Sequence, residues 1–195
     1  SPYGSRLVAV VDAVPFVLTV PGLRPHPGQP PRVPCNAVCV SRDGRLLAFS
    51  PRVKDTIEIW DLEQGVRLSE IPRQPAPVHA MRFSPDGTTL ASGSNRLIRL
   101  WNVDNGRIQS EFVGHRSPIE SLGFDRSGRS LISSSRAHTI RVWSIELQQE
   151  VLALGWRSDR LSGGSRITVS PDGERLLQLR DGALLEYRID SSDES

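Results

Sequence analysis

Histidine, serine and aspartate all occur in this 195-residue chain, the residue types from which a proton-relayed nucleophile is made. The four histidines, His26, His79, His115 and His138, fall in separate segments without the paired spacing a metal needs. No Gly-x-Ser-x-Gly corner and no phosphate-cradling glycine loop is present. Cys35 and Cys39 are the only thiols. On a continuous strand their side chains point to one face roughly 13 Å apart, too far for a mutual disulfide. They read as small buried hydrophobes in a reducing, cytoplasmic setting. Catalysis, a metal and a cofactor are therefore not expected.

Bulk composition narrows the classes further. The formal charge of +2 is too near neutral to imply nucleic-acid binding, and only Tyr3 and Tyr187 supply tyrosine rings for base stacking. Of the 24 basic residues, only Lys54 is lysine. The most apolar stretch, Leu7 to Val20, is broken by Asp12 and Pro15 and falls short of the ~20 residues of a membrane-spanning helix. It reads as two strands, Leu7 to Val11 and Phe16 to Val20.

What must position any functional side chain is a repeat. Trp60, Trp101, Trp143 and Tyr187 follow one another at 41, 42 and 44 residues, the period of an array whose unit is one four-stranded sheet. Asp43-Gly44, Asp86-Gly87, Ser127-Gly128 and Asp172-Gly173 precede these anchors at a near-constant distance. Such pairs between alternating apolar runs predict two-residue hairpins, because glycine accepts positive φ without a steric penalty. Between residues 21 and 34, six prolines remove so many N–H donors that a long surface connection is predicted.

The runs Ser84-Pro85-Asp86-Gly87, Leu90-Ala91-Ser92-Gly93-Ser94 and Ile98-Arg99-Leu100-Trp101, with Gly114-His115 and Thr139-Ile140-Arg141-Val142-Trp143, resemble the consensus of the WD-repeat β-propeller family. The resemblance covers about residues 34 to 190. It implies an all-β chain of about four and a half four-stranded blades, an incomplete propeller. The divisions are a half blade with its Pro-rich connection at 1–33, blades at 34–71, 72–112 and 113–160, a partial blade lacking its closing strand at 161–190, and a disordered tail at 191–195. Starting at Ser1 and short of the family's usual blade count, the chain reads as the C-terminal part of a longer protein. Its unpaired blade edges invite association.

In the family a His, a Ser or Thr, a turn Asp and the Trp are joined by hydrogen bonds within a blade. The third unit offers His115, Ser133 or Ser135, and Trp143, but Ala137 stands where the Asp is expected, so at most three members are predicted there. Gln74 replaces the His in the second unit. His115 beside a serine is thus implied to be structural rather than catalytic, and Trp60, Trp101 and Tyr187 are implied to be core anchors.

The same resemblance places two sets of loops on one face of the disc. That face receives Arg52, Lys54, Arg73, Arg96, Arg116, Arg136, His138, Arg157 and Arg160, against Asp55 and Asp159. Asp61, Glu63, Asp86, Asp104 and Asp172 fall on the other, diluted by Arg42, Arg45 and Arg126. The expected function is a non-catalytic scaffold for a protein or peptide ligand, acidic or phosphorylated, held by paired guanidinium contacts. The alternative is a sensor or substrate-positioning region of a larger regulatory enzyme, a kinase or nucleotide-driven switch, with its catalytic domain upstream.

Overall fold

The computed structural model describes residues 6–20, 22–72, 74, 76–155, 166–170, 175–180 and 183–188. Among them every regular element is a strand, and the strands form five antiparallel sheets. β1 (Arg6–Val11), β2 (Val14–Thr19) and the short β3 (Arg24–Pro25) make the first. β4 (Cys35–Val40), β5 (Leu46–Pro51), β6 (Ile57–Asp61) and β7 (Val66–Ile71) make the second. The third and fourth repeat that order with β8 (Val78–Phe83), β9 (Thr89–Ser94), β10 (Leu97–Asn102) and β11 (Ile108–Val113), then β12 (Ile119–Phe124), β13 (Ser130–Ser135), β14 (Thr139–Ser144) and β15 (Gln149–Gly155). β16 (Arg166–Val169), β17 (Arg175–Arg180) and β18 (Ala183–Arg188) form the last.

Each sheet is an up-and-down meander, and the first strands of successive meanders pack on one another: β4 on β8, β8 on β12, β12 on β16. That stacking is the arrangement of propeller blades about an axis. The register repeats as well. Leu47 pairs with Trp60, Leu90 with Trp101, Leu131 with Trp143 and Leu176 with Tyr187. A bulge recurs immediately before each Trp in the pairing of the third and fourth strands. Another recurs where the first strand of each full blade begins, adding local twist at the same place in each blade.

Cores lie between blades rather than within them. Ala48, Ile57, Ile59 and Ile71 of one sheet meet Met81, Phe83, Leu90 and Trp101 of the next. Ala91, Ile98 and Leu100 then meet Ile119, Leu131 and Trp143. The apolar residues on both faces of the central strands follow from this double burial.

Two expectations are corrected. Among the described residues the Asp-Gly corners are not two-residue hairpins, and Asp172-Gly173 lies outside them: five residues, Ser41 to Arg45, join β4 to β5, and Gly44 N–H closes a turn onto Ser41 O at 3.0 Å. The Ser41 hydroxyl and Asp43 carboxylate take up the amides that the wider loop frees, those of Leu46 and Arg45. Ser84 and Asp86 do the same, whereas in the next blade the two residue types trade places, Asp125 and Ser127. Two-residue hairpins lie instead at Asp12 and Ala13, both with positive φ, and at Asn95 and Arg96.

Second, Cys35 and Cys39 do not share a face. Cys35 packs with Val17 and Phe49 against the first sheet, and Cys39 packs toward Met81 and Leu90 on the other side. The bulge between Cys35 and Ala37 inserts one residue and reverses the alternation.

The Pro-rich connection runs over the surface, as expected, and is also tied down. The Gln29 side-chain amide donates to Val17 O at 2.5 Å and its carbonyl accepts from Val17 N–H at 3.1 Å, imitating a neighbouring strand at the edge of β2. Gly28 lies so close to the β6–β7 turn that a Cβ would fall 2.2 Å from Leu62 O.

Candidate interaction face

The Trp anchors differ from blade to blade, and the differences trace to single residues. Trp143 is buried and its indole N–H donates to Ser133 Oγ at 2.8 Å. The same oxygen lies 2.7 Å from His115 Nε2, while His115 Nδ1 lies 2.8 Å from Thr139 Oγ1 and Thr139 in turn 2.8 Å from Ser135 Oγ. The network therefore has five members rather than three, because Thr139, opening β14, stands in for the missing turn Asp. Burial, and then the charge of Arg141, push the His115 pKa down to about 4, so the ring is neutral and each nitrogen has one hydroxyl partner.

Trp101 is likewise buried and donates to Ser92 Oγ at 2.8 Å. Gln74, at the His position, is buried but turns away: its amide donates to Pro72 O at 2.7 Å and its carbonyl accepts from Arg99. In the earlier blade Phe49 occupies the register position of Ser92 and Ser133. No hydroxyl is offered there, and Trp60, only half-buried, donates to Glu58 Oε2 at 3.0 Å. Tyr187 holds the anchor's register but is 42% exposed.

An ion pair outside each Trp repeats with variation. Arg99 and Arg141 lie two residues before their Trp, with guanidinium carbons 5.9 Å from the ring centres. They reach Glu111 and Glu150 on the neighbouring strand. In the first full blade the charges are exchanged, with Glu58 on β6 and Arg67 on β7, 3.8 Å apart. These partners were legible as Arg-x-Trp and Glu-x-Trp, since residues two apart on a strand share a face.

His115 and Ser133 sit at nucleophile-to-base distance inside the blade's hydrogen-bonded network. Both are buried, and the Ser133 oxygen already accepts the indole proton. Among the described residues, no group of three His, Cys, Asp or Glu could hold a metal.

The loops joining second to third strands, and those joining blades, are laced together at one end of the sheets. Gln74 N–H donates to Asp55 O, Ile119 N–H to Asn95 O and Arg136 N–H to Pro118 O. Arg52, Lys54, Arg96, Arg116 and Arg136 are exposed there, and His138 is half-buried. Lys54 Nζ lies 3.7 Å from Glu58 and Arg136 Nε 3.5 Å from Glu120, both loose pairs of little energetic worth. Arg96 and Arg116 have no carboxylate partner among the described residues. Arg73, Arg157, Arg160 and Asp159 lie outside the described residues.

At the opposite end Asp86 and Asp104 are exposed, and Glu63 reaches Arg6. Asp61 is not a surface acid. It is fully buried, with both Nε and Nη2 of Arg45 at 2.8 Å. Burial opposes its ionisation, but the N–H of Gln64, the Arg45 guanidinium and the N–H of Glu63 together hold its carboxyl below the usual range. Asp172 lies outside the described residues.

The family model described as WD domain, G-beta repeat, matches residues 65–102 and 106–144. Each matched repeat starts with the outer strand of one blade and ends with the Trp strand of the next, so the sequence unit staples neighbouring sheets. The chain is also similar to Autophagy-related protein 16 of Arabidopsis thaliana, 34% identical over 64 residues. That match spans 32% of this chain and 12% of the plant protein. With the matched repeats in register over 65–144 and the sheets stacked through their first strands, residues 65–144 carry WD repeats and the sheets are arranged as blades of a WD-type β-propeller.

Proposed function

We propose that the chain is a non-catalytic protein-interaction scaffold whose cationic loop face holds an acidic or phosphorylated peptide. The scaffold part is supported by the WD repeats and the partial likeness to Autophagy-related protein 16. The observation carrying the choice of ligand is the cluster Arg52, Lys54, Arg96, Arg116 and Arg136, exposed on loops that backbone hydrogen bonds tie together. A rigid base limits the ordering cost of binding, and guanidinium groups pair carboxylate and phosphate in bidentate fashion. A reducing, cytoplasmic setting belongs to the same proposal, with Cys35 and Cys39 as free thiols and burial pushing Cys39 up to about 12. The test is binding of a glutamate-rich peptide to the wild-type chain and to the Arg96→Ala/Arg136→Ala double variant. Affinity unchanged by the double substitution removes the reading.

A further inference from the structure

The second and third full blades share one plan, yet the surroundings of their Trp rings differ. On the third, Glu150 stands opposite Trp143 and ion-pairs with Arg141. The Gly114 backbone closes over both: a Cβ there would fall 2.8 Å from Arg141 Nη1 and 2.9 Å from the Trp143 ring. On the second blade Ile108 takes the place of Glu150 opposite Trp101. Arg99, at the same 5.9 Å from its Trp ring as Arg141, pairs instead with Glu111 and reaches Gln74. A groove of about 640 Å³ remains, lined by Asp55, Gln74, Ala76, Pro77, Arg99, Trp101 and Ile108.

Its upper wall consists of loop residues of the cationic face, and its lower end is Trp101 and the 48%-exposed Ile108. Lys54 adjoins Asp55 in sequence, and Arg96 immediately precedes the strand that carries Arg99 and Trp101. An apolar floor beneath a charged rim is the layout in which one anchoring side chain supplies most of an interface's affinity. The two charged lining residues, Asp55 and Arg99, are of opposite sign, whereas Arg52, Lys54 and Arg96 of the exposed rim are all cationic. Charge complementarity thus assigns carboxylates to the rim and an uncharged group to the groove.

We propose that this groove receives one bulky apolar side chain of the acidic peptide bound by the cationic face, so the recognised segment is an aliphatic or aromatic residue flanked by acids. The inference rests on the reading under Proposed function. Two labelled peptides test it, each with three glutamates on either side of a central leucine or serine, titrated by fluorescence anisotropy. The leucine peptide is expected to bind about tenfold or more tightly, the fold-change that burial of one Leu side chain gives. Ile108→Ser, at an exposed position, is expected to abolish that preference and leave the serine peptide's affinity and the melting temperature unchanged. Arg96→Ala/Arg136→Ala is expected to weaken both peptides by a common factor. Equal wild-type affinities for the two peptides overturn the groove alone, as does a leucine preference that survives Ile108→Ser. Failure of both peptides to bind overturns the cationic-face reading and the groove with it.

Discussion

His115 Nε2 and Ser133 Oγ are 2.7 Å apart in the interior of a blade, and that same oxygen accepts the Trp143 indole proton. One hydroxyl thereby joins the first-strand approach, the second strand and the third. The Trp ring supplies the apolar area, and the imidazole supplies only its hydrogen bonds and a modest volume. Trp143→Ala and Trp101→Ala are each expected to cost about 3 to 5 kcal/mol, as for other buried aromatic truncations. His115→Ala is expected to cost about 1 to 3 kcal/mol. Denaturant melts of the three variants check the order, and His115→Ala being the worst of the set contradicts it.

Acid should act through the same imidazole before it acts through carboxylates. In the unfolded chain His115 takes its proton near 6.5, and in the folded chain only near 4. The unfolded state therefore binds more protons between those values. The contribution is complete above pH 6.5, falls as pH drops, and levels off near pH 4. His26, also shifted down by burial and by Arg6, adds in the same direction. Asp61 and Asp86, held below the carboxylate range, lose their share only at lower pH. Melting temperature measured across this range should decline in the wild type and decline less in His115→Gln; identical profiles contradict the assignment.

Thr139 closes the network in place of an aspartate, bridging His115 Nδ1 and Ser135 Oγ. Thr139→Val keeps the shape and β-propensity but removes both hydrogen bonds, so a loss of about 1 to 2 kcal/mol is expected. Thr139→Ser should retain most of the stability. Chemical denaturation of both variants decides, with equal stabilities refuting the bridging role.

Much of the fold was legible because indole spacing and glycine corners report strand register directly, and Trp60, Trp101, Trp143 and Tyr187 occupy one register position. What escaped depends on contacts between residues distant in sequence. Cys39 faces away from Cys35 because of a bulge that no residue type announces. Thr139 joins the network through space, 24 positions from His115. Asp61 looked like a surface acid until Arg45, 16 residues earlier, was seen to cover it. The cationic loops followed from repeat register, whereas the groove on the second blade needed the comparison of Ile108 with Glu150 across two registers.

The Pro-rich connection should behave as part of the first blade interface. Gly28→Ala places a methyl group against Leu62 O, where the backbone cannot yield cheaply, and a cost of about 1 to 3 kcal/mol is expected. Gln29→Ala removes the side-chain mimic of a strand from Val17. Hydrogen exchange at the Val17 amide should accelerate in both variants; protection equal to wild type contradicts the strap.

The most direct test of the functional account is an isotherm of a glutamate-rich peptide against the wild-type chain and the Arg96→Ala/Arg136→Ala variant, repeated at low and high salt. The account predicts measurable wild-type binding that weakens with salt and falls about tenfold or more in the variant. Binding indifferent to both the two arginines and the salt would contradict it.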